Sequence, residues 1–370
     1  MNKIFKVASI AAVAAVNIAH ADGIKLSGFG TINATYNPFN SQYMELREGL
    51  TTDGSKLGFV INAGLEDNLS FSSQVLYKQL PTGRETELRW VNLAYDVTPD
   101  LKARVGRMPL TDRAIGDINY SNIWNNEPGE YFYQLIVRSF DGAQLAYEKQ
   151  LGGGLRLEVE ANLGQTGTSV KLDGFIPGVN ADIHADNFAG LMGTLRTTSS
   201  TIMLSASTTE ISVSVDETSQ ANILKAIRSG LTVDPALLPE GAERANNFFL
   251  SYQQDFLDDW MFYGGITYSN TKHPALNEQV GAFVSLTRYF NDFSLHYTYA
   301  LQKENVEGAK GWIDSQDSHK IGLTYDVNYS SNIRAEITSL SNDTSINDNF
   351  VMRIPPESGV MASIAYNFVF

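Results

Sequence analysis

The sequence contains no cysteine, which excludes disulfide-stabilised domains and thiolate metal sites. It also lacks long apolar runs: beyond residue 21, no run of A, V, I, L, M, F, W, Y or C residues exceeds four. A transmembrane helix needs about 20 predominantly apolar residues, so this part of the chain cannot supply one. The strands of a transmembrane barrel remain possible, because their apolar residues alternate with polar ones.

Basic residues are scarce relative to acidic ones. The chain has 27 Lys and Arg against 41 Asp and Glu, a formal net charge of −14. Without residues 1–21, which hold two lysines and no acid, the remaining 349 residues carry a net charge of −16. Binding to nucleic acid requires a basic surface that neutralises phosphates, so we expect no nucleic-acid partner.

The first residues have the pattern of an export signal. Lys3 and Lys6 precede an apolar run over 7–18, and Ala19-His20-Ala21 matches a small-x-small cleavage site. We therefore expect a cleaved signal peptide at 1–21 and one domain over 22–370, since no repeat, linker or composition shift divides the rest. Export without cysteine favours a Gram-negative envelope protein.

Histidines are few and widely separated, at positions 20, 184, 273, 296 and 319. No pair has metal-ligand spacing, so we expect no metal site and no cofactor. His296 lies near Ser294, but neither residue has the surroundings of a nucleophile motif. The sequence therefore predicts that the protein is not an enzyme and that His296 lines an interior.

The chain contains sixteen segments in which apolar and polar residues alternate. Most are 9–13 residues long, which matches the roughly 9–11 residues that a tilted strand needs to cross an outer membrane. The segments lie near 24–36, 54–63, 68–79, 86–97, 100–108, 139–149, 154–164, 187–198, 200–211, 246–256, 259–271, 278–289, 292–303, 317–327, 331–341 and 359–370.

The connections between these segments alternate between long and short. Short turns such as 98–99 and 290–291 alternate with longer segments such as 109–138 and 212–245. This rhythm is typical of an up-and-down barrel with short periplasmic turns and long external loops, and a Greek-key sandwich has no reason to show it. We therefore predict an all-β fold, a 16-stranded antiparallel transmembrane β-barrel with a water-filled interior. Within the longest connections, 216–231 is read equally well as a short helix or as an irregular loop.

The stretch GLRLEVEANL at 154–163 shows the alternation without a break. Its apolar face would cover a core in a soluble sandwich, or lipid in a barrel. The count of strands and the rhythm of the connections favour the barrel, in which Arg156, Glu158 and Glu160 face the lumen. Aromatic residues at strand ends on apolar faces would form interfacial girdles: Tyr77, Tyr95, Tyr147, Trp260, Tyr268 and Tyr366.

Several segments together resemble the Gram-negative general porins. Residues 90–109, WVNLAYDVTPDLKARVGRMP, look like that family's strand–turn–strand segment with Thr-Pro-x-Leu followed by Arg-x-Gly-Arg. The segments 26–31 (LSGFGT) and 55–59 (SKLGF) look like its first two strands, and 364–370 (IAYNFVF) looks like its last. The order of these motifs covers nearly the whole chain beyond the signal.

The resemblance implies an outer-membrane protein, embedded in lipid, that forms a homotrimer and lets small hydrophilic solutes and ions diffuse passively. It implies that Phe370 is read by the barrel-assembly machinery, and that the third loop, here 109–138, folds into the lumen and constricts it. The connection at 80–85 is shorter than the family's second loop, which commonly reaches over a neighbouring subunit. This departure puts the contact between subunits in question.

The constriction itself is predicted to carry opposite charges. Acids on the loop would face bases on the lumen phase of strands two to five, creating a transverse field that orders dipolar solutes. The acids are Asp112, Asp117, Glu127 and Glu130, and the bases are Lys56, Lys78, Lys102 and Arg104. A second interpretation is that the loop is acidic only because the whole chain is acidic.

The sequence therefore predicts a diffusion channel. Net charge favours cations, although only lumen charges count and strands two to five are basic. Two alternatives stay open: a plugged structural or adhesive barrel whose loops bind a partner, and a soluble periplasmic β protein.

Overall fold

The computed structural model describes residues 23–38, 47–80, 83–109, 124–125, 139–171, 180–215, 218–220, 242–257, 259–271, 278–305, 314–344 and 358–370. The expected signal peptide lies outside these residues. Seventeen strands form one sheet: β1 Ile24–Asn37, β2 Gly49–Thr51, β3 Lys56–Glu66, β4 Leu69–Leu80, β5 Gly83–Thr98, β6 Leu101–Pro109, β7 Ser139–Gly152, β8 Leu155–Lys171, β9 Asn180–Arg196, β10 Ser200–Val215, β11 Glu243–Phe256, β12 Trp260–Thr271, β13 Glu278–Phe290, β14 Phe293–Asn305, β15 Asp314–Asn328, β16 Ser331–Thr344 and β17 Gly359–Val369.

The sheet closes into a barrel. From β3 onward each strand pairs antiparallel with its successor, and β17 pairs with β1. Both β2 and β3 pair with β1, β2 opposite its last residues and β3 opposite its first, so they are two pieces of one interrupted strand. The barrel therefore has sixteen staves, where a stave is one complete pass of the chain along the wall. The predicted fold class is confirmed.

Strand bounds differ most from the prediction around β8 and β9. The alternating pattern ends near 164 and resumes near 187, yet pairing continues to Lys171 opposite Asn180. On the β8 side the extension, QTGTSVK at 165–171, has Val170 as its one apolar residue other than glycine, so its sequence shows no apolar alternation. The backbone hydrogen bonds between β8 and β9 continue through this extension.

Two connections, one short and one long, also bear on the sequence prediction. Leu80 pairs with Gly83, so only residues 81–82, which lie outside the described part, separate β4 from β5. The second of the connections predicted to be long is therefore shorter than the six residues, 80–85, that the sequence indicated. Residues 218–220 are helical, and the rest of 216–231 lies outside the described residues.

Burial along the strands is inverted relative to a soluble protein. On β8 the apolar Leu163 is 65% exposed, whereas the neighbouring Asn162 is 6% exposed. The same holds around the barrel: the exposed set includes Ile32, Val105, Leu191, Ile321 and Ile364, and the buried set includes Gln144, Thr194, Ser251, Thr298 and Lys320. Apolar side chains thus form the outer face and polar ones the inner face, as a barrel in lipid requires.

The seam between the first and last strands depends on two glycines. Gly28 N–H donates to the carbonyl oxygen of Phe370 at 2.8 Å, and Phe370 N–H donates to that of Gly28 at 3.0 Å. A Cβ at Gly28 would lie 2.3 Å from the Phe370 ring, and one at Gly30 would lie 2.3 Å from the Phe368 ring. The terminal aromatic rings therefore pack flat against glycine backbone and cover the seam on the outer face.

Candidate functional site

The connection from β6 to β7 reaches the far wall of the barrel. Trp124 lies fifteen residues after Pro109 and fifteen before Ser139, at the midpoint of the connection. Its indole packs on Tyr263 and Phe283 at centroid distances of 5.9 and 5.5 Å. These rings are on the inner faces of β12 and β13, so the described centre of the connection lies inside the barrel.

The distance crossed is close to a full diameter. Sixteen strands about 4.8 Å apart and tilted by about 40° give a barrel about 30 Å across between backbones. The strands β6 and β7 are the fifth and sixth staves, and the staves directly opposite are β14 and β15. Fifteen extended residues reach at most about 50 Å, which is enough to cross once in each direction. We call residues 110–138 the bridge.

Hydrogen bonds fix the midpoint of the bridge to the wall. The indole Nε1–H of Trp124 donates to Thr298 Oγ1 at 2.8 Å, and Arg334 Nη1 donates to the Trp124 carbonyl at 2.7 Å. Asn125 N–H donates to Glu336 Oε2 at 3.1 Å. The Asn125 side-chain amide donates to the Arg334 carbonyl at 3.0 Å and to Ser363 Oγ at 3.1 Å.

The wall beneath this anchor contains buried ionisable side chains. Arg334, Glu336, His296 and Lys320 are all buried on the inner faces of β14, β15 and β16. His296 Nε2 lies 3.6 Å from Glu336 Oε2. Lys320 lies close enough for its positive charge to stabilise the ionised Glu336 carboxylate. Burying a charge is costly unless an opposite charge compensates it. Removing one charged member of this cluster would therefore leave another buried without compensation and destabilise the fold.

The four loop acids predicted for the constriction, Asp112, Asp117, Glu127 and Glu130, lie outside the described residues. Their roles stay predictions. The anchor residues Trp124, Arg334 and Glu336 were not predicted. The phase of β16 would place Arg334 and Glu336 on the inner face, but no local pattern marks Trp124 as the residue that reaches them.

The four predicted wall bases lie on the inner phase of their strands. Lys56 is in register with Lys78. Lys78 Nζ lies 3.6 Å from Glu85 and 3.8 Å from Glu87. The charge of Lys78 is therefore offset by the acids of the adjacent strand β5.

The same is true of the two bases on β6. Lys102 Nζ lies 3.2 Å from Asp96, and Arg104 lies 3.9 Å from Glu160 and hydrogen-bonds Gln144. The sequence prediction counted bases on strands two to five without these acids. The described wall here is paired rather than basic.

The charged residues of GLRLEVEANL belong to a ladder of ion pairs. Arg156 Nη2 lies 2.7 Å from Glu148 and 2.8 Å from Glu158, and Arg196 lies 3.4 Å from Glu158. With the pairs on β6, the ladder on β5–β9 holds four bases and four acids: Lys102, Arg104, Arg156, Arg196, Asp96, Glu148, Glu158 and Glu160. Its net charge is zero.

A further buried carboxylate lies between β2 and β3. Asp53 accepts hydrogen bonds from Arg47 Nε at 2.9 Å and Nη2 at 2.7 Å, from the Arg47 backbone N–H at 3.0 Å, and its own N–H donates to Thr51 Oγ1 at 3.1 Å. Burial raises the pKa of Asp53, but its hydrogen bonds with Arg47 and Thr51 outweigh it, so the pKa lies below its ordinary value. These contacts hold the segment between β2 and β3, where the second stave is interrupted, against the residues before and within β2.

Neither a membrane-spanning helix nor a metal cluster is found in the described ranges. No helix there is long and apolar enough to cross a membrane. No group of three or more His, Asp and Glu side chains there could hold a metal ion.

Similarity to known proteins is confined to structure. No family model matches the chain, and no curated protein matches it. Solved structures with a similar fold include OmpF of Salmonella typhi in complex with daunomycin (12% identity, TM-score 0.61, 94% of this chain and 97% of that one) and OmpT, an outer-membrane protein of Vibrio cholerae (12%, 0.59, 95% and 100%). Another is the anion-selective porin from Comamonas acidovorans (11%, 0.58, 94% and 99%). These likenesses confirm the porin resemblance at the level of the fold.

Proposed function

We propose that this chain is an outer-membrane porin that forms a water-filled channel for passive diffusion of small hydrophilic solutes and ions. The observation that carries the proposal is an inside-out barrel in which Trp124, at the midpoint of the connection from β6 to β7, is anchored on the far inner wall. We propose that a connection held there narrows a lumen that sixteen staves would otherwise leave wide open. Solutes are then selected mainly by size, with modulation by the charges that they pass.

The open passage is proposed to follow the wall formed by β5–β9. Charged side chains there stay partly exposed inside the barrel: 39% for Lys102, 32% for Arg104 and 39% for Arg156. On the opposite wall the charges are buried against the anchor, and Lys320 is 0% exposed. A plugged adhesive barrel would have no reason to keep one inner wall wet.

The ion preference is proposed to be weak. The ladder on β5–β9 has no net charge, so the −16 of the chain beyond residue 21 comes from residues outside this ladder. We therefore propose a slight preference for cations.

The assembly and its location complete the proposal. Residues 1–21 would direct export, Phe370 would be read by the barrel-assembly machinery, and the barrel would lie in the outer membrane as a homotrimer. One of the structurally similar proteins, OmpT of Vibrio cholerae, has been solved in a trimer form. A compact band in the outer-membrane fraction that shifts on heating would support this location, and recovery as a soluble periplasmic protein would contradict it.

Single-channel recording tests the channel itself. Purified protein in planar bilayers should give stepwise conductance, and liposomes containing it should swell in small sugars faster than in large ones. Trp124→Ala removes the indole from its aromatic site, so it should raise conductance and admit larger sugars. The matched control is Trp260→Ala, on the outer face of β12, which should leave both readouts unchanged. Absence of steps from folded protein would favour the plugged adhesive barrel instead.

A further inference from the structure

Two opposite charges on the described inner wall of β6–β8 face each other without a direct hydrogen bond. Nη1 of Arg104 on β6 lies 3.9 Å from Oε1 of Glu160 on β8, beyond the roughly 2.7–3.2 Å of an N–H···O hydrogen bond. Both side chains stay partly exposed inside the barrel, 32% for Arg104 and 16% for Glu160. The pair is therefore accessible from the passage proposed along this wall.

The side-chain amide of Gln144, on the strand between them, keeps the two charges apart. Arg104 Nη1 donates to Gln144 Oε1, and Gln144 Nε2 donates to Glu160 Oε2 at 3.2 Å. The same Nε2 also donates to Asn162 Oδ1 at 2.8 Å, and Gln144 is 3% exposed, so its amide is fixed in place. A guanidinium carries five N–H donors. Within the described ranges Arg104 forms no other hydrogen bond, so donors remain for a solute that reaches the pair.

A small residue makes a recess beside the pair. On the inner face of β7, Ala146 is in register with Lys102 on one side and with Glu160 on the other. Lys102 is 39% exposed. A methyl group thus lies between a positive rim on β6, formed by Lys102 and Arg104, and a negative rim on β8, formed by Glu160. We call these four residues, together with Gln144, the recess.

We propose that the recess binds α-amino acids, which carry an ammonium and a carboxylate on the same carbon. The planar guanidinium of Arg104 donates to the carboxylate of the solute, and the ammonium of the solute donates to Glu160. These two charges of an amino acid lie about 3 Å apart, given N–Cα and Cα–C bonds of about 1.5 Å. Arg104 and Glu160 are separated by a similar distance, 3.9 Å, so the dipole of the solute lies antiparallel to that of the wall.

The recess is complete on one wall of the barrel. Both rims belong to β6–β8, so binding does not depend on charges of the connection from β6 to β7. The inference rests on the proposed channel and on its passage along β5–β9, and it names a class of solute that this wall favours.

The arrangement of charges distinguishes amino acids from other small solutes. A neutral polyol gains neither ion pair, and a monoanion or monocation gains one while it meets a like charge nearby. Each partly exposed ion pair is weak, so we expect amino acids to enter about 2–5 times faster than neutral solutes of equal size. Weak binding suits a channel, because the solute must leave as well as enter.

Liposome swelling tests the proposal with two solutes of matched size. L-Threonine and erythritol have the same number of non-hydrogen atoms, but only threonine is a zwitterion. Wild-type channels should admit threonine about 2–5 times faster than erythritol. Arg104→Gln and Glu160→Gln should each bring this ratio close to one. The two variants change the charge of the wall in opposite directions, so a preference set by net charge alone would not be lost in both.

The matched control is Arg107→Gln, on the same strand. Arg107 lies two residues after the outward-facing Val105 and forms an ion pair with Asp141 at 2.7 Å, so its loss should leave the ratio unchanged. Every variant is first checked by the heat-dependent shift of the folded barrel on a gel, and its rate of erythritol entry reports that the pore is open.

Exchanging the two charges separates recognition from damage to the wall. Arg104→Glu combined with Glu160→Arg should restore part of the preference for threonine, because Gln144 can present either end of its amide to each side. Equal entry of both solutes into wild-type liposomes, or a ratio that survives both single variants, would overturn the inference while leaving the channel proposal standing. Entry of neither solute would overturn the channel proposal and this inference with it.

Discussion

At the scale of single residues, Gly106, in the Arg-x-Gly-Arg segment of β6, occupies a position that has no room for a side chain. Its φ is +127°, and a Cβ would lie 2.4 Å from the Val91 carbonyl oxygen on β5. Gly106→Ala therefore meets both backbone strain, about 1–3 kcal/mol, and a steric clash. We expect a smaller fraction of heat-shifting folded barrel after refolding. Gly64→Ala, in β3 with open space around it, should fold as the wild type does; equal yields from the two variants would contradict this account.

Asp53 sets a pH dependence at the same scale. Its pKa is lowered in the folded state, so its contribution to stability is present above the unfolded value of about 3.9 and is lost as pH falls through the folded value. Asp53→Asn should lower the unfolding temperature at pH 7, with a cost of about 1–3 kcal/mol for the hydrogen bonds to Arg47. The difference from wild type should vanish at strongly acidic pH. Asp292→Asn, in the exposed turn between β13 and β14, serves as control, and a difference that persisted in acid would argue against the assignment.

At the scale of elements, the anchor of the bridge depends on charge balance. Glu336→Gln keeps an acceptor for Asn125 but leaves Lys320 and Arg334 buried without that carboxylate, which typically costs 3–5 kcal/mol. We expect a lower unfolding temperature and a noisier open channel. Adding Lys320→Met to Glu336→Gln should restore part of both, because it removes one uncompensated charge. A double variant worse than the single one would show that charge balance is not what holds the bridge.

Elements also show where sequence reasoning ends. The strands can be predicted because lipid on one face and polar groups on the other impose a two-residue period, as in residues 155–163 of β8. The anchor cannot be predicted in this way, because Trp124 contacts Thr298 and Arg334, which lie 174 and 210 positions later in the sequence. The pairing of Arg104 with Glu160 likewise depends on the register between β6, β7 and β8, and the alternation of apolar and polar residues does not determine that register. That the connection from β6 to β7 enters the barrel was therefore predictable, and the place where Trp124 is attached was not.

At the scale of the whole molecule, the net charge of the chain differs from the net charge of the wall that the proposed passage follows. The chain beyond residue 21 carries −16, while the ladder on β5–β9 carries none. Ions in a pore respond to charges within about a Debye length, roughly 10 Å at 0.1 M salt. Selectivity should therefore follow single substitutions in the ladder more closely than changes of similar charge on the outer face.

The reversal potential in a salt gradient measures this directly. Arg156→Gln leaves the ladder with one unbalanced acid and should shift selectivity toward cations, whereas Glu158→Gln leaves one unbalanced base and should shift it toward anions. Arg288→Gln, which removes a guanidinium lying 5.3 Å over the Trp260 ring on the outer face, should shift neither. Both ladder shifts should shrink at 1 M salt, where the Debye length falls to about 3 Å. Shifts of the same sign from Arg156→Gln and Glu158→Gln, or a shift from Arg288→Gln as large as theirs, would mean that the conducting path does not follow this wall.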